Sequence, residues 1–132
     1  MIKILCVDDD PSLRRLYSEE LTEEGYQVFE AGNGKEAVAE VAKVQPDLII
    51  LDIRMPELDG IQTLNALLGK NRQLPVILNT AYPQHKENFM TWGAEAYVVK
   101  SSDLGELKQK IHEVLGKREE QNNRRGPPFL KV

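Results

Sequence analysis

Apolar runs and amphipathic stretches alternate along this chain from start to end. Ile2 to Val7 is apolar apart from Lys3, which predicts a short strand buried on both faces. Asp10 then stands at an N-cap position, with Pro11 at the first helical position after it. Leu13, Leu16, Tyr17, Glu20 and Leu21 recur at helical spacing, and Gly25 suits a C-terminal stop. Tyr26 to Ala31 is the next strand. Asn33 can cap a helix that carries Ala37, Val38, Val41 and Ala42. Asp47 to Leu51 is the clearest buried strand. The turn MPELDG follows, then a helix from Ile61 to Leu68 with Ile61, Leu64, Leu67 and Leu68 on one face. Pro75 to Leu78 reads as a strand, Pro83 to Trp92 as a weaker helix ending at Gly93, and Ala96 to Val99 as the last strand. Ser102 can cap a last helix with Leu104, Leu107, Ile111, Val114 and Leu115 inward.

This is a βα unit repeated five times. The pattern calls for an α/β fold, a parallel sheet with helices on both faces and right-handed crossovers. A closed eight-stranded barrel needs far more chain than 132 residues, so the sheet is open and doubly wound. Residues 1–116 form the folded unit in this reading. Residues 117–132 extend the last helix and then become a tail or linker, because Gly126-Pro127-Pro128 breaks any helix. Phe129, Leu130 and Val132 make the end of that tail apolar.

Composition narrows the function. A net charge of −4 argues against a nucleic-acid interface, which needs a concentrated basic face. The one cysteine, Cys6, cannot form an internal disulfide, and nothing points to an oxidising compartment. No apolar run is long enough to span a membrane, and the N-terminus meets three acids too soon to read as a signal peptide. A cytoplasmic location, without nucleic-acid or membrane binding, is the expectation.

In an open α/β sheet, ligands bind beyond the C-terminal ends of the strands. Asp8, Asp9 and Asp10 follow the first strand, Asp52 the third, Asn79 and Thr80 the fourth, and Lys100 the fifth. If the first and third strands are neighbours, their carboxylates crowd one spot and repel unless a cation sits among them. Oxygen ligands of this kind suit magnesium, which keeps several waters and takes one or two carboxylates. A hydroxyl and an ammonium at the flanking strand ends would complete a phosphoryl-binding site. A carboxylate can itself attack phosphorus and form an acyl phosphate.

On these residues the chain resembles the receiver domain of bacterial two-component response regulators, of the chemotaxis-regulator-like kind. ILCVDDDP resembles the family's acidic strand end and LIILDIRMPELDG its phosphoacceptor segment; PVILNTAY and GAEAYVVK match the two remaining blocks. Four blocks in the correct order, across roughly residues 2 to 116, make the match specific. The resemblance implies a (βα)5 flavodoxin-like fold with strand order 2-1-3-4-5. It also implies that Asp52 is the phosphoacceptor, that Asp9 ligates Mg2+ directly, and that Asp8 holds a metal-bound water. Arg54 falls where a backbone carbonyl ligates the metal. Thr80 falls on the hydroxyl that bonds the phosphoryl group, Lys100 on the lysine that pairs with it, and Tyr97 on the aromatic switch that swings inward when Thr80 moves. Arg54 and Tyr82 occupy the variable positions that tune phosphoryl lifetime. The implied partners are a sensor histidine kinase or histidine phosphotransfer protein as donor and a downstream output protein or domain. The stretch 83–92, the strand 96–99 and the last helix together make the implied surface for a homodimer or a partner. One departure stands out: Ser101 follows the lysine where the family usually has proline.

Plainer readings apply elsewhere. Asp10 is read as a helix N-cap, Trp92 as packing at a helix end, and Cys6 as a small buried apolar residue. His85 and His112 lie alone on exposed helical faces, and Asp59 and Gly60 are read as cap and turn of the third helix. Two other functions fit parts of the pattern. A phosphohydrolase with an aspartyl intermediate would use Asp8-x-Asp10, but it needs a cap segment that no insertion here can form. A pseudo-receiver, binding partners without phosphorylation, typically lacks one of Asp8, Asp9, Asp52, Thr80 and Lys100, all of which are present. The reading is therefore a signalling domain, not an enzyme, that catalyses only its own phosphorylation and slow dephosphorylation.

Overall fold

The computed structural model describes residues 1–52, 58–71, 73–81, 93–101 and 103–124. Among them run β1 (Lys3–Val7), α1 (Pro11–Glu23), β2 (Gln27–Ala31), α2 (Gly34–Val44), β3 (Leu48–Leu51), α3 (Leu58–Lys70), β4 (Val76–Thr80), β5 (Ala96–Val99) and α4 (Gly105–Arg124). The five strands form one parallel sheet in the order β2-β1-β3-β4-β5, as expected. The expected helix over 83–92, with His85 and Trp92, lies outside the described residues, as do Ser102 and the tail 125–132.

Strand alternation sorts the core into two layers. Leu5, Val7, Ile49, Leu51, Val76, Leu78 and Tyr97 point to one side, where they meet Ala37 and Val41 of α2 and Leu64 and Leu67 of α3. Ile4, Cys6, Leu48, Ile50, Ile77, Ala96 and Val98 point to the other, against Tyr17 and Leu21 of α1 and Leu107, Ile111 and Val114 of α4. The strands are covered on both faces, which is why they read as continuous apolar runs. Burial pushes the Cys6 thiol up to about 12, helped by the nearby charges of Asp8 and Glu30, so it stays a neutral packing group.

Several boundaries follow from local chemistry. Asp10 caps α1, its Oδ1 accepting from Ser12 N–H at 3.0 Å and Leu13 N–H at 3.4 Å. At the other end Gly25, with φ 97°, donates to the Thr22 carbonyl, and Tyr26 donates to Leu21. That pair of bonds is a Schellman stop, and it needs the left-handed residue that glycine supplies. Asn33 caps α2 through Glu36 N–H at 2.9 Å, while the Glu36 carboxylate reaches back to Gly32 N–H at 2.6 Å. Two expectations need correction. The helix α3 begins at Leu58, so Asp59 and Gly60 lie inside its first turn and do not precede it. Gly60 is buried there, and packing overrides its low helix propensity. In addition β4 runs to Thr80, so Asn79 and Thr80 are strand residues.

The layer of α2 and α3 is close-packed where Gly34 opens α2. A Cβ on Gly34 would collide with the Thr63 hydroxyl and lie 3.2 Å from Thr63 Cβ and 3.3 Å from Cγ2. Gly34→Ala is expected to cost about 1–3 kcal/mol in urea unfolding, the usual penalty for overpacking. Thr63→Ala in the same chain should recover most of it.

Candidate functional site

The parallel ladder carries on one residue beyond the strands and fixes the main chain of the site. Asp8 N–H donates to the Ala31 carbonyl at 3.1 Å, Asp52 N–H to Val7 at 3.0 Å, and Lys100 N–H to Thr80 at 2.7 Å. Asp8, Asp52 and Lys100 each come two residues after Cys6, Ile50 and Val98, which all face the α1–α4 side. The side chains meet. Lys100 Nζ lies 2.9 Å from Asp8 Oδ2 and 3.1 Å from Asp52 Oδ2. Ligand oxygens of Asp8, Asp9 and Asp52 all lie within 4.8 Å of one another.

Charge is the dominant fact here. Three carboxylates at this spacing repel, and the Lys100 ammonium offsets part of that repulsion. Burial is the largest single influence on Lys100 and pulls its pKa down. The hydrogen bonds and negative charges of Asp8 and Asp52 together outweigh it, so the pKa is raised above the ordinary lysine value. Asp8 is almost fully covered and already engaged at both oxygens. Oδ2 takes Lys100, and Oδ1 accepts from Asp10 N–H at 2.9 Å. Asp9 is exposed and Asp52 half-buried. The donor set fits a hard divalent cation: all oxygen, excess negative charge, and open enough for the cation to keep waters. Asp8, Asp9 and Asp52 each offer one carboxylate oxygen to the same spot. A cavity of about 130 Å³ adjoins them, lined among others by Asp9, Asn33, Asp52, Gly60 and Thr63.

Thr80 is fully buried and Tyr97 is 4% exposed. In register Leu78 pairs with Tyr97 and Thr80 with Val99, so Thr80 and Tyr97 are near neighbours on the α2–α3 side of the sheet. Tyr97 is already inside, packed in the core. Arg54 and Tyr82 lie outside the described residues. Ser101 Oγ accepts from Asp103 N–H at 3.2 Å, and Asp103 Oδ1 from Gly105 N–H at 2.9 Å, so side chains brace the turn between Lys100 and α4.

Sequence reasoning missed two supports. Asn79 interrupts an otherwise apolar strand, and its buried side chain hydrogen-bonds Tyr17 of α1, which is 2% exposed. Burial, more than anything else, raises the Tyr17 phenol pKa, and the bond to Asn79 works against it. The lone asparagine in VILNT is the signal that a polar partner waits across the layer. Tyr17→Phe is expected to cost about 1–3 kcal/mol by leaving the Asn79 amide unpaired. Tyr17→Phe with Asn79→Leu should recover much of that in urea unfolding. The other support is Arg14, which binds the main chain of the acidic turn and leaves no sequence signature.

Residues 4–112 match the family model described as the response regulator receiver domain. The chain belongs to that family. Relatives carry the same domain in different settings. The receiver is 37% identical over 115 residues to the regulatory protein AtoC of Escherichia coli (strain K12), covering 86% of this chain but 25% of that one. It is 36% identical over 115 residues to the sporulation initiation phosphotransferase F of Bacillus subtilis (strain 168), covering 86% of this chain and 93% of that one. The chain thus spans about a quarter of one curated relative and nearly all of another. Among solved structures, the response regulator TrrA of Thermotoga maritima in complex with Mg2+-BeF superposes with a TM-score of 0.79 at 41% identity. That alignment covers 86% of this chain and 99% of TrrA. TrrA in complex with the histidine kinase ThkA gives 0.78 at 42% identity, covering 87% and 99%. The sheet order and the four sequence blocks are those of a receiver, a signalling domain, and its phosphoacceptor function follows from that membership. No helix among the described residues is long and apolar enough to cross a membrane.

Proposed function

We propose that Asp52 is the residue of this receiver that takes the phosphoryl group, from a histidine kinase or histidine phosphotransfer protein, with Mg2+ bound by Asp9, Asp52 and the Arg54 carbonyl. The observation that carries the reading is the Lys100 ammonium, held 2.9 Å from Asp8 and 3.1 Å from Asp52 at the mouth of a cluster of three carboxylates. An Asp52 oxygen donates its electron pair to phosphorus as the bond from phosphorus to the donor's nitrogen or oxygen breaks. The leaving group departs with the electron pair of the broken bond, and a leaving imidazole takes its proton from solvent. Bound magnesium would supply positive charge to offset that of the phosphoryl oxygens and of Asp52. Lys100 exchanges its bond to the Asp52 carboxylate for one to a phosphoryl oxygen. Thr80 donates its hydroxyl to another. Phosphorylation then acts on the Tyr97 ring through Thr80, both of them buried.

The surface around β5 and α4 then serves as the face read by an output partner or a second copy. Residues 1–116 act as the unit, and α4 continues past it to Arg124. The domain works in the cytoplasm and turns over no external substrate beyond its own phosphoryl group. The test is incubation with Mg2+ and acetyl phosphate, read by intact mass. One phosphoryl group per chain that needs the cation and returns slowly to zero supports the reading. A chain that stays unmodified, although it binds Mg2+, removes it and favours a phosphorylation-independent binding module.

A further inference from the structure

A cation on α1, Arg14, holds the acidic turn from outside. Arg14 Nη1 donates to the Asp8 carbonyl at 2.6 Å, and Arg14 Nε to Glu30 Oε1 of β2 at 3.0 Å. The Asp8 carbonyl belongs to the peptide that joins Asp8 to Asp9. Fixing that oxygen fixes the plane of the peptide, and with it the direction in which Asp9 leaves the strand. The Asp8 side chain braces the same turn from within by accepting Asp10 N–H at 2.9 Å. The guanidinium lies against Gly32, where an added Cβ would come 3.3 Å from Arg14 Nη1. Arg14 is 20% exposed and Glu30 41%, so the pair itself contributes little to stability. The bond to the carbonyl is different. Its oxygen is held by a charged donor at short range, next to the most exposed of the three carboxylates.

The geometry points to Arg14 as a positioning residue for cation binding: it sets the Asp8–Asp9 peptide so that the Asp9 carboxylate faces the ion, with Glu30 holding the guanidinium in register. This rests on the reading of Asp9 and Asp52 as the metal and phosphoryl site. Arg14 touches neither ion nor phosphoryl group, so its loss should weaken affinity for the cation and leave the chemistry of the loaded site intact. Groups that hold a metal ligand in place are worth about 10- to 100-fold in metal affinity. A main-chain contact one peptide removed from the ligand belongs at the lower end, about tenfold.

The experiment titrates Mg2+ by calorimetry on wild type, Arg14→Gln, Arg14→Lys and Glu30→Gln. It also follows phosphorylation by acetyl phosphate as a function of Mg2+ and records each melting temperature. Arg14→Gln is expected to raise the Mg2+ dissociation constant about tenfold, while at saturating Mg2+ its phosphorylation rate returns to within about twofold of wild type. Arg14→Lys keeps one charged donor for the carbonyl and should recover most of the affinity. Glu30→Gln should show a smaller loss. Equal losses in Arg14→Gln and Arg14→Lys would overturn the proposal, because the carbonyl bond would then not be the cause. So would unchanged Mg2+ affinity in Arg14→Gln, or a rate defect that saturating Mg2+ does not repair. If Arg14→Gln fails to fold, the comparison of Arg14→Lys and Glu30→Gln with wild type decides on the same criteria. A wild-type chain that takes up neither Mg2+ nor phosphate defeats the site reading itself, whereas normal loading of wild type with normal variants defeats only this inference.

Discussion

Asp52→Asn is expected to gain no phosphoryl group from acetyl phosphate, at any Mg2+ concentration, under conditions that load the wild type. The amide has the size of the carboxylate but neither its charge nor its nucleophilic oxygen. A drop of at least about a thousandfold in rate, roughly 4 kcal/mol of barrier, is the expected scale when the nucleophile is removed. The effect should be confined to chemistry. Asp52 N–H keeps its bond to the Val7 carbonyl, and Lys100 keeps its bond to Asp8. Amide exchange of the core should therefore match the wild type. Among the described residues, Asp8 and Asp9 are the nearby acids that could accept phosphate instead. Asp8 has both oxygens occupied by Lys100 and by Asp10 N–H, which leaves it poorly placed to attack. Labelling of Asp52→Asn at the wild-type rate would show that one of these acids, and not Asp52, carries the group.

Most of this site was legible in the sequence because of where it sits. Parallel strands buried on both faces are plain apolar runs, and the polar residue that ends each run marks the edge of the sheet. Asp8, Asp52, Thr80 and Lys100 stand at such edges, and the structure brings Asp8, Asp52 and Lys100 into direct contact. The N-caps at Asp10 and Asn33 and the stop at Gly25 were equally open to reading, since each depends on a residue and its near neighbours. Boundaries that depend on tertiary packing were not. Gly60 reads as a turn in isolation, yet it is buried in the first turn of α3. Asn79 and Thr80 read as loop residues because they are polar, and β4 continues through both. Tyr17 reads as one member of the helical spacing of its helix, and Arg14 stands outside that pattern. Their bonds to the Asp8 carbonyl and to Asn79 cross between elements and leave no periodic trace.

Replacing Lys100 should reveal how the site is balanced. Lys100→Met keeps the length of the side chain and removes its charge. The lysine side chain is 15% exposed, that of Asp8 2%, and that of Asp52 10%, so the variant leaves buried negative charge with less compensation. Breaking a fully buried pair from one side costs about 3–5 kcal/mol. This site opens to solvent beside Asp9, which puts the expected loss nearer 2–3 kcal/mol without divalent cation. Magnesium should then stabilise the variant more than the wild type, because the ion no longer competes with an ammonium for the same oxygens. The pH dependence has a definite sign. The raised pKa means that the native state holds the Lys100 proton more tightly than the unfolded chain does. The stability this adds is complete below the ordinary lysine value of about 10.5 and disappears as pH rises through the higher native value. Wild type and Lys100→Met should therefore differ at neutral pH and converge above that range, in urea unfolding without Mg2+. Phosphorylation at saturating Mg2+ should also slow by about 10²–10³-fold, since the ammonium stabilises charge on the transferring group. Equal stability of the two proteins at neutral pH, with no greater response to Mg2+ in the variant, would mean that the ammonium does not balance the carboxylate cluster.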